Sequence, residues 1–287
     1  MEKIAIVTDS TCDVSPEELK EWGVTCINLK VLRADGTPFP DGNDAANIEE
    51  FYDYLNTCKE LPGTSMPSPV EFGEVYSDLA KHGYTNILSM HIASAMSGTC
   101  TAARLAAETS SVPVEVLDTN RNTWALGLLV RYAATLRNSG ARFATLVKKV
   151  AEMAPKANIV FALDTLKNLV KGGRTGKATG LAATLLDIKP ILTVGDDGQV
   201  AQVSKAKSMK RAIPKLAEDA LEKVTEMGPL EGYFVHARNL ADVDKLRAAF
   251  IEKGVDFKEL GVRQIGPVIA THVACGCVGF SSIPRDC

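Results

Sequence analysis

Apolar and polar residues alternate in blocks along the first half of the chain. Compact apolar runs that end in polar residues predict buried strands at residues 3–8, 86–91 and 113–118. Apolar positions three and four residues apart predict helices over residues 15–23, 47–57, 68–81, 97–108, 124–138 and 143–153. Strands that alternate with helices in this way favour a parallel sheet that is covered by helices on both faces.

Local signals mark where several of these elements begin and end. Ser15-Pro16 and Ser68-Pro69 each combine a helix-capping serine with a proline suited to the first helical turn, and a glutamate follows three positions after each serine. Gly23 is suited to the end of the first helix. The pattern predicts one further strand over residues 25–32 and a loop or hairpin, rich in Asp-Gly and proline, over residues 33–43.

The second half of the chain has more strands than helices. Apolar runs predict strands at residues 159–163, 190–194, 200–203, 233–236, 257–262, 268–271 and 278–280, and helical spacing predicts helices at 208–227 and 240–253. A proline-containing segment at 154–157 separates the halves, and 287 residues suit two domains. We therefore predict an α/β protein with a parallel-sheet domain over residues 1–155 and a second α/β domain, with a mixed sheet, over residues 156–287.

Composition and charge narrow the class of protein. A net charge of −3 argues against a general binder of nucleic acids or membrane surfaces. No apolar run approaches the length of a membrane span, and the apolar run near the N-terminus is too short for a signal peptide. Seven scattered cysteines are unlike a disulfide framework, which favours the cytoplasm. Cys275 and Cys277 form an isolated C-x-C pair without further ligands at zinc spacing, so we expect no metal cofactor.

Common nucleotide-binding and hydrolase motifs are missing from the sequence. No G-x-G-x-x-G follows a predicted strand, and no G-x-S-x-G or H-E-x-x-H occurs. The segment at 172–178 resembles a phosphate-binding loop but fails twice. Lys171 stands where that motif needs glycine, and Ala178 stands where it needs serine or threonine. These absences argue against nucleotide-dependent and common hydrolytic chemistry.

Three clusters of hydroxyl side chains lie beside predicted strand ends or helix starts, at residues 9–11, 64–68 and 94–99. Ligands of open α/β sheets bind beyond the carboxyl ends of the strands, where helix N-termini favour anions. Hydroxyls and backbone amides could hold a carboxylate or phosphate there without a lysine. A simpler interpretation is that the clusters only cap helices and turns, and Ser68 fits a cap well.

Six segments give a stronger signal together than any one gives alone: Val7-Thr8-Asp9-Ser10-Thr11-Cys12-Asp13, Thr64-Ser65-Met66-Pro67-Ser68, Ser94-x-x-Ser97-Gly98-Thr99, Gly172-Gly173-Arg174, Ile188-Lys189-Pro190-Ile191-Leu192 and Gly266-Pro267 to Thr271-His272. In content and order they resemble the motifs of the DegV family of bacterial fatty acid-binding proteins, from one end of the chain to the other. The resemblance implies a Rossmann-like first domain, a second α/β domain and a tunnel for an acyl chain.

The resemblance also implies a ligand site. Thr64 and Ser97 would bind the carboxylate of a long-chain fatty acid such as palmitate, stearate or oleate, with His272 in the same hydrogen-bond network. Ser65 and Gly98 complete the predicted head-group site. The protein would be a non-catalytic carrier that needs no cofactor.

A separate fatty acid kinase subunit is the partner that the resemblance implies. Arg174 and Lys207 would contact it. The sequence departs from the family pattern at Ala93, where the family has serine, at residues 205–207, where Lys-x-Arg is common, and at residues 271–276, which lack the usual Gly-Pro-Gly. Lys207 stands where the family pattern has arginine, and lysine does not reproduce the forked donors of arginine. This difference weakens the case for a standard surface that docks the kinase.

Two other functions remain open at this point. Ser97 and His272 could serve a phosphotransferase or hydrolase, or the hydroxyl clusters could be helix caps in a structural or regulatory protein. The tunnel is not located by the sequence. Apolar residues that could line it are equally explained by core packing; they are Ile27, Leu29, Ile92, Met96 and Leu126.

Overall fold

The computed structural model describes residues 2–39, 43–178 and 188–285. Its helices are Pro16–Trp22 (α1), Ala45–Thr57 (α2), Pro69–Lys81 (α3), Thr99–Ala107 (α4), Thr123–Asn138 (α5), Phe143–Met153 (α6), Lys167–Lys171 (α7), Met209–Met227 (α8), Leu240–Glu252 (α9) and Pro267–Val273 (α10). Its strands are Ile4–Asp9 (β1), Val24–Ile27 (β2), Lys30–Leu32 (β3), Gly63–Ser65 (β4), Asn86–His91 (β5), Val114–Asp118 (β6), Asn158–Ala162 (β7), Lys189–Val194 (β8), Val200–Ala206 (β9), Leu230–His236 (β10), Phe257–Gln264 (β11) and Val278–Pro284 (β12).

The first large sheet has the strand order β2-β1-β5-β6, and all its pairings are parallel. Strand β1 is buried along its whole length because both faces are covered. Ala5 and Val7 share an apolar cluster with residues of α3 and α4 on one face. Ile4 and Ile6 point to the opposite face, where α5 packs. The predicted parallel sheet, covered on both sides, is confirmed.

The second large sheet is mixed, as predicted, with the order β11-β10-β12-β7-β8-β9. Only β10 and β11 pair in parallel among these neighbours. Helices α8 and α9 cover one face over a cluster of four aromatic rings, those of Phe234, Phe250, Phe257 and Phe280.

Helix α5 lies between the two large sheets. It packs against β1 of the first sheet and against β7, β10 and β12 of the second. Its first half, from Thr123 to Val130, is buried without interruption, and the Trp124 and Tyr233 ring centroids are 4.5 Å apart. The two sheets draw on residues from either side of 154–157, but they share one apolar core through α5. The division into domains at that segment stays a prediction.

The strand predicted over residues 25–32 is wrong as a single element. The chain forms β2 and β3 there, and they belong to different sheets. Between them the amide of Leu29 donates to the Ser10 hydroxyl at 2.9 Å, so this amide is bonded to a side chain of the turn after β1. The chain then turns away from the parallel sheet, and β3 pairs with β4.

The strand predicted over residues 268–271 is also wrong, because these residues form helix α10. Pro267 occupies the first helical turn, where its missing amide hydrogen costs nothing. The Ala270 amide donates to the Gly266 carbonyl at 2.9 Å. Nearly every side chain of α10 is buried, so the run has no polar face, and periodicity alone does not separate such a helix from a buried strand.

The sequence pattern predicts neither β4 nor α7, and the remaining differences are small. The described part of the predicted loop at 33–43 makes a turn and returns to β3 through a bridge between Leu32 and Pro38. Residues 40–42 of that loop lie outside the described residues. No helix in the described ranges is long and apolar enough to cross a membrane.

Candidate functional site

A cavity of about 300 Å³ lies where the first sheet, the small sheet β3–β4, helix α10 and the second sheet meet. Apolar residues form most of its wall: Leu29, Met66, Ile92, Met96, Phe161, Leu169, Val200, Val268, Ile269 and Val273. Polar residues complete it: Thr64, Ser65, Ser97, Asn122, Arg174 and His272, with Gly98. All five predicted ligand residues therefore line one cavity.

Thr64 and His272 are in direct contact although 208 positions separate them in the sequence. The Thr64 hydroxyl lies 3.2 Å from His272 Nε2. Thr64 is held on β4 opposite Val31, and α10, which carries His272, packs against β3 and β4. Helix α10, where the sequence predicts a strand, is thus the element that brings His272 to Thr64.

Ser97 and Gly98 lie in the loop between β5 and α4. The Ser97 hydroxyl is 2.8 Å from the Thr99 hydroxyl, and Gly98 is the N-cap position of α4, without a side chain to cap it. The first amides of a helix have no partner inside the helix, so they are suited to an anion. A side chain at Gly98 would meet the sulfur of Met66, since an added Cβ would lie 2.6 Å from it.

His272 is neutral over a wide pH range. Burial, with the Arg174 guanidinium as a second cause, lowers its pKa from 6.5 to about 4. Its Nδ1 is buried and has no hydrogen-bond partner among the described residues. Gly172 lies directly against this nitrogen, because a Cβ added at Gly172 would be 2.4 Å from Nδ1.

Arg174 lies beside this polar group at the surface. Its Nε donates to the Met96 carbonyl at 3.3 Å, and Nη1 donates to the Gly172 carbonyl at 2.6 Å. Within the part of the chain that is described, it is the one charged side chain that lines the cavity. Thr64, Arg174 and His272 also line an adjoining depression with Leu61 and Lys171, so the polar end of the cavity borders a second opening.

Lys207, the other predicted partner residue, is exposed and does not line the cavity. It follows the end of β9, whose first residue, Val200, is in the cavity wall. Arg174 lines the same cavity as Val200, at the start of this strand. A seven-residue strand spans roughly 20 Å, so Lys207, beyond the other end of the strand, lies far from Arg174. Its role as a partner contact stays a prediction.

Three of the five apolar candidates from the sequence, Leu29, Ile92 and Met96, line the cavity. Ile27 and Leu126 do not and are buried in the apolar core. The sequence offered no signal for the contributions of β7, α7 and β9, because each supplies a single apolar residue that looks like core. Asn122 was missed as well, since it lies in no motif.

Ser68 and the hydroxyl cluster at residues 9–11 make structural contacts. Ser68 forms a capping box with Glu71, so its interpretation as a cap is confirmed. Asp9 is fully buried and accepts hydrogen bonds from Thr11, from His91 Nδ1 and from the Ile92 amide. His91 Nε2 is in turn 2.7 Å from the Ser89 hydroxyl. This array has the order of an Asp-His-Ser triad, but all three side chains are inaccessible to a substrate.

Ser97 and His272 are not hydrogen-bonded to each other in the described structure. Ser97 is bonded to Thr99, and His272 is bonded to Thr64. A serine nucleophile needs its base within hydrogen-bond reach, although that bond can be long without a substrate. The arrangement therefore favours ligand binding over nucleophilic catalysis by this pair.

Comparison with known proteins gives one consistent result. The family model described as "Uncharacterised protein, DegV family" matches residues 3–285. A DegV domain-containing protein of Deinococcus radiodurans is 35% identical over 281 residues, 98% of each chain. A protein of Thermotoga maritima named fatty acid-binding protein is 31% identical over 280 residues, 97% of this chain and 96% of its own.

Solved structures agree with the sequence relatives. The crystal structure of a fatty acid binding DegV family protein from Streptococcus agalactiae superposes with a TM-score of 0.89 at 28% identity, and the match covers 100% of both chains. The arrangement of the two large sheets is therefore that of a known fold. This chain belongs to the DegV family.

Proposed function

We propose that this protein binds one long-chain fatty acid in the cavity between its sheets. The observation that carries the proposal is the division of the wall: the Thr64 hydroxyl contacts the His272 imidazole, Ser97 and the Arg174 guanidinium line the same cavity, and apolar side chains form most of the rest. That division matches a molecule with one anionic head and a long apolar tail. The names of the Thermotoga maritima and Streptococcus agalactiae relatives support the same ligand class.

The apolar wall would supply most of the affinity. Each CH₂ group removed from water contributes roughly 0.8 kcal/mol, so a long tail brings a large favourable term. The head group then needs only orientation and compensation for lost water. Hydrogen bonds to a charged group contribute about 1.5–3 kcal/mol each, and the hydroxyls of Thr64 and Ser97 are the donors that we assign to the carboxylate.

A proton on Nε2 of His272 would make Thr64 a better donor. With Nδ1 packed against Gly172 and without an acceptor in the described structure, a hydrogen on Nδ1 would be unpaired. We therefore assign the hydrogen to Nε2, which donates to the Thr64 oxygen. The Thr64 hydroxyl hydrogen is then left for the carboxylate, and the neutral ring adds no fixed charge to the ligand.

We also propose that the protein is a non-catalytic carrier that presents the fatty acid to a separate kinase subunit. The polar end borders a surface depression, and Arg174 is exposed beside it. A partner that contacts Arg174 would reach the carboxyl group without displacing the tail. Lys207 would take part only if the partner's footprint extends along β9.

Extraction of the purified protein with organic solvent, followed by mass spectrometry, tests the binding proposal. We expect close to one fatty acid per chain. Thr64→Val and Ser97→Ala should each weaken binding of added stearate by about tenfold, because each removes one donor to the carboxylate. Ser94→Ala is the matched control, since Ser94 lies in the same loop but is exposed and outside the cavity wall.

A lipid-free extract from a protein that also refuses added stearate would contradict the proposal. Incubation with ATP and stearate tests the carrier role separately. We expect no acyl phosphate from the isolated chain, and turnover that Ser97→Ala abolishes would instead support an enzyme.

A further inference from the structure

Asn122 is a polar residue in the cavity wall that the head-group site does not use. Only 9% of its surface is exposed, and it lies at the N-cap position of α5. Asparagine at this position normally accepts a hydrogen bond from the first turn of the helix. Here the side chain makes no such bond, although the residue type is among the best for it.

The residue that follows Asn122, Thr123, has an unusual backbone conformation. Thr123 has a φ of 44°, in the left-handed region that β-branched residues rarely adopt. Its hydroxyl donates to Asp13 Oδ2 at 2.5 Å, and this bond holds the residue in place. Such backbone strain persists where the surrounding structure fixes it, and it is frequent at ligand sites.

The amide of Asn122 has poor partners in the described structure. Its Oδ1 is buried and has no hydrogen-bond partner among the residues that the structure describes. Its Nδ2 lies 3.2 Å from the sulfur of Met96, and a thioether is a weak acceptor. Both Asn122 and Met96 line the cavity. An amide in this position can both accept from and donate to a ligand, because its carbonyl oxygen is an acceptor and its NH₂ group is a donor.

We infer that Asn122 recognises a hydroxyl group on the acyl chain, so that the preferred ligand is a long-chain hydroxy fatty acid. This inference rests on the proposed fatty acid function and makes it narrower. A hydroxyl supplies a donor for Oδ1 and an acceptor for Nδ2, whereas a CH₂ group supplies neither. A buried polar site of this kind discriminates against a ligand that leaves it unpaired.

The position of Met96 indicates where on the chain the hydroxyl lies. The Met96 carbonyl accepts from Arg174, beside the head-group site, and the Met96 sulfur meets Asn122. The amide is therefore about one methionine side chain away from the head-group donors. A hydroxyl close to the carboxyl end of the ligand would reach it, and a hydroxyl in the distal half would not.

Binding of two positional isomers tests the inference without a change in hydrophobicity. We expect the delipidated protein to bind 3-hydroxystearate about tenfold more tightly than 12-hydroxystearate in calorimetric titration. Asn122→Leu should abolish this preference, so that the two isomers bind with equal affinity. Ile92→Leu, which changes the shape of the same cavity but no hydrogen bond, should retain the preference. Thermal unfolding should show that Asn122→Leu folds, because the side chain caps nothing.

Equal binding of the two isomers by the wild type, with stearate still bound, would overturn the inference and leave the fatty acid proposal intact. A preference that persists in Asn122→Leu would overturn it as well. Failure of the wild type to bind stearate and both isomers would overturn the proposed function itself.

Discussion

At the scale of single residues, the His272 ring occupies the space beside Gly172 that a side chain would need. The imidazole lies where any side chain at Gly172 would be, and Nε2 of the same ring contacts Thr64. The ring is largely buried, so it has little room to move aside. The position of the head-group histidine therefore depends on a glycine from a different element, at the end of α7.

Gly172→Ala tests this dependence. The added methyl group would displace the ring from Thr64, and we expect the affinity for stearate to fall by about tenfold or more, since one hydrogen bond and part of the cavity are lost. Titration calorimetry measures the affinity, and circular dichroism checks that the chain is folded. Gly73→Ala is the control, because an added Cβ there meets nothing within 4 Å. Unchanged affinity of Gly172→Ala would show that the ring does not orient the ligand site.

The sequence predicts a role for some residues of the site but not for others. Thr64, Ser97 and His272 were predicted because each lies in a short motif with a recognisable order. The closeness of Gly172 to His272 is a contact across the fold, and Asn122 has no motif at all. Contacts of this kind depend on where helices end in space, which a pattern of residue types does not specify.

Helix α10 shows the same limit at the scale of elements. Its sequence is typical of a strand because three of its apolar residues, Val268, Ile269 and Val273, are β-branched, and its few polar residues form no continuous helical face. The structure surrounds it on all sides, with α2, α7, β3 and β4 as neighbours. Tertiary burial, and a proline at its start, decide the conformation. By contrast, α3 has a capping box and an exposed face, and it was predicted to the correct end.

The N-terminus of α10 adjoins a buried acid, Asp13. A Cβ added at Gly266, the N-cap of this helix, would lie 2.6 Å from Asp13 Oδ1. Burial is the main cause that raises the pKa of Asp13 from 3.8 to about 8. The hydrogen bond from Thr123 lowers this pKa, and the charge of the nearby Asp9 raises it slightly. Asp13 is therefore protonated in the folded protein at neutral pH.

This acid gives a pH dependence with a defined sign. The folded state binds a proton more tightly than the unfolded state, so the stabilising contribution is complete below pH 4 and is lost as the pH rises to about 8. The loss approaches 1.4 kcal/mol per pH unit within that window. Asp13→Asn should remove this slope, and asparagine tolerates the positive φ of 59°. Urea unfolding at pH 5 to 8 measures the difference, and parallel curves for the two proteins would contradict the protonated state.

At the scale of the whole molecule, a buried arginine connects the two large sheets. Arg121 follows β6 of the first sheet and is only 2% exposed. It donates to three backbone carbonyls that lie within the predicted boundary segment 154–157 or beyond it. The acceptors are Ala157 at 2.5 Å, Gly195 at 2.9 Å and Pro155 at 2.9 Å. The Asp196 carboxylate that it also reaches is mostly exposed, so that ion pair adds little.

The same connection supports the ligand site. Arg121 holds the turn between β8 and β9 through Gly195, and Gly198 of that turn packs against Ala93, where an added Cβ would be 2.7 Å from the alanine methyl. Ala93 begins the loop that carries Ser97. Ala93 is buried, so its contact with Gly198 joins this loop to the second sheet.

Replacement of Arg121 by methionine should therefore affect stability and binding together. Methionine keeps the apolar stem but removes the Arg121 donors to the carbonyls of Ala157 and Pro155, and it leaves the Gly195 carbonyl with the Gly198 amide alone. We expect the free energy of unfolding to fall by about 3–5 kcal/mol. Affinity for stearate, measured under conditions where the variant is folded, should fall as well, because the cavity lies between the parts that Arg121 joins. Arg137→Met is the control: Arg137 also donates to two carbonyls, those of Trp22 and Gly23, but both precede the predicted boundary, so these bonds do not join the two sheets. An Arg121 variant with reduced stability but unchanged affinity would show that the two sheets hold the cavity closed without this side chain, through the apolar contacts of α5 alone.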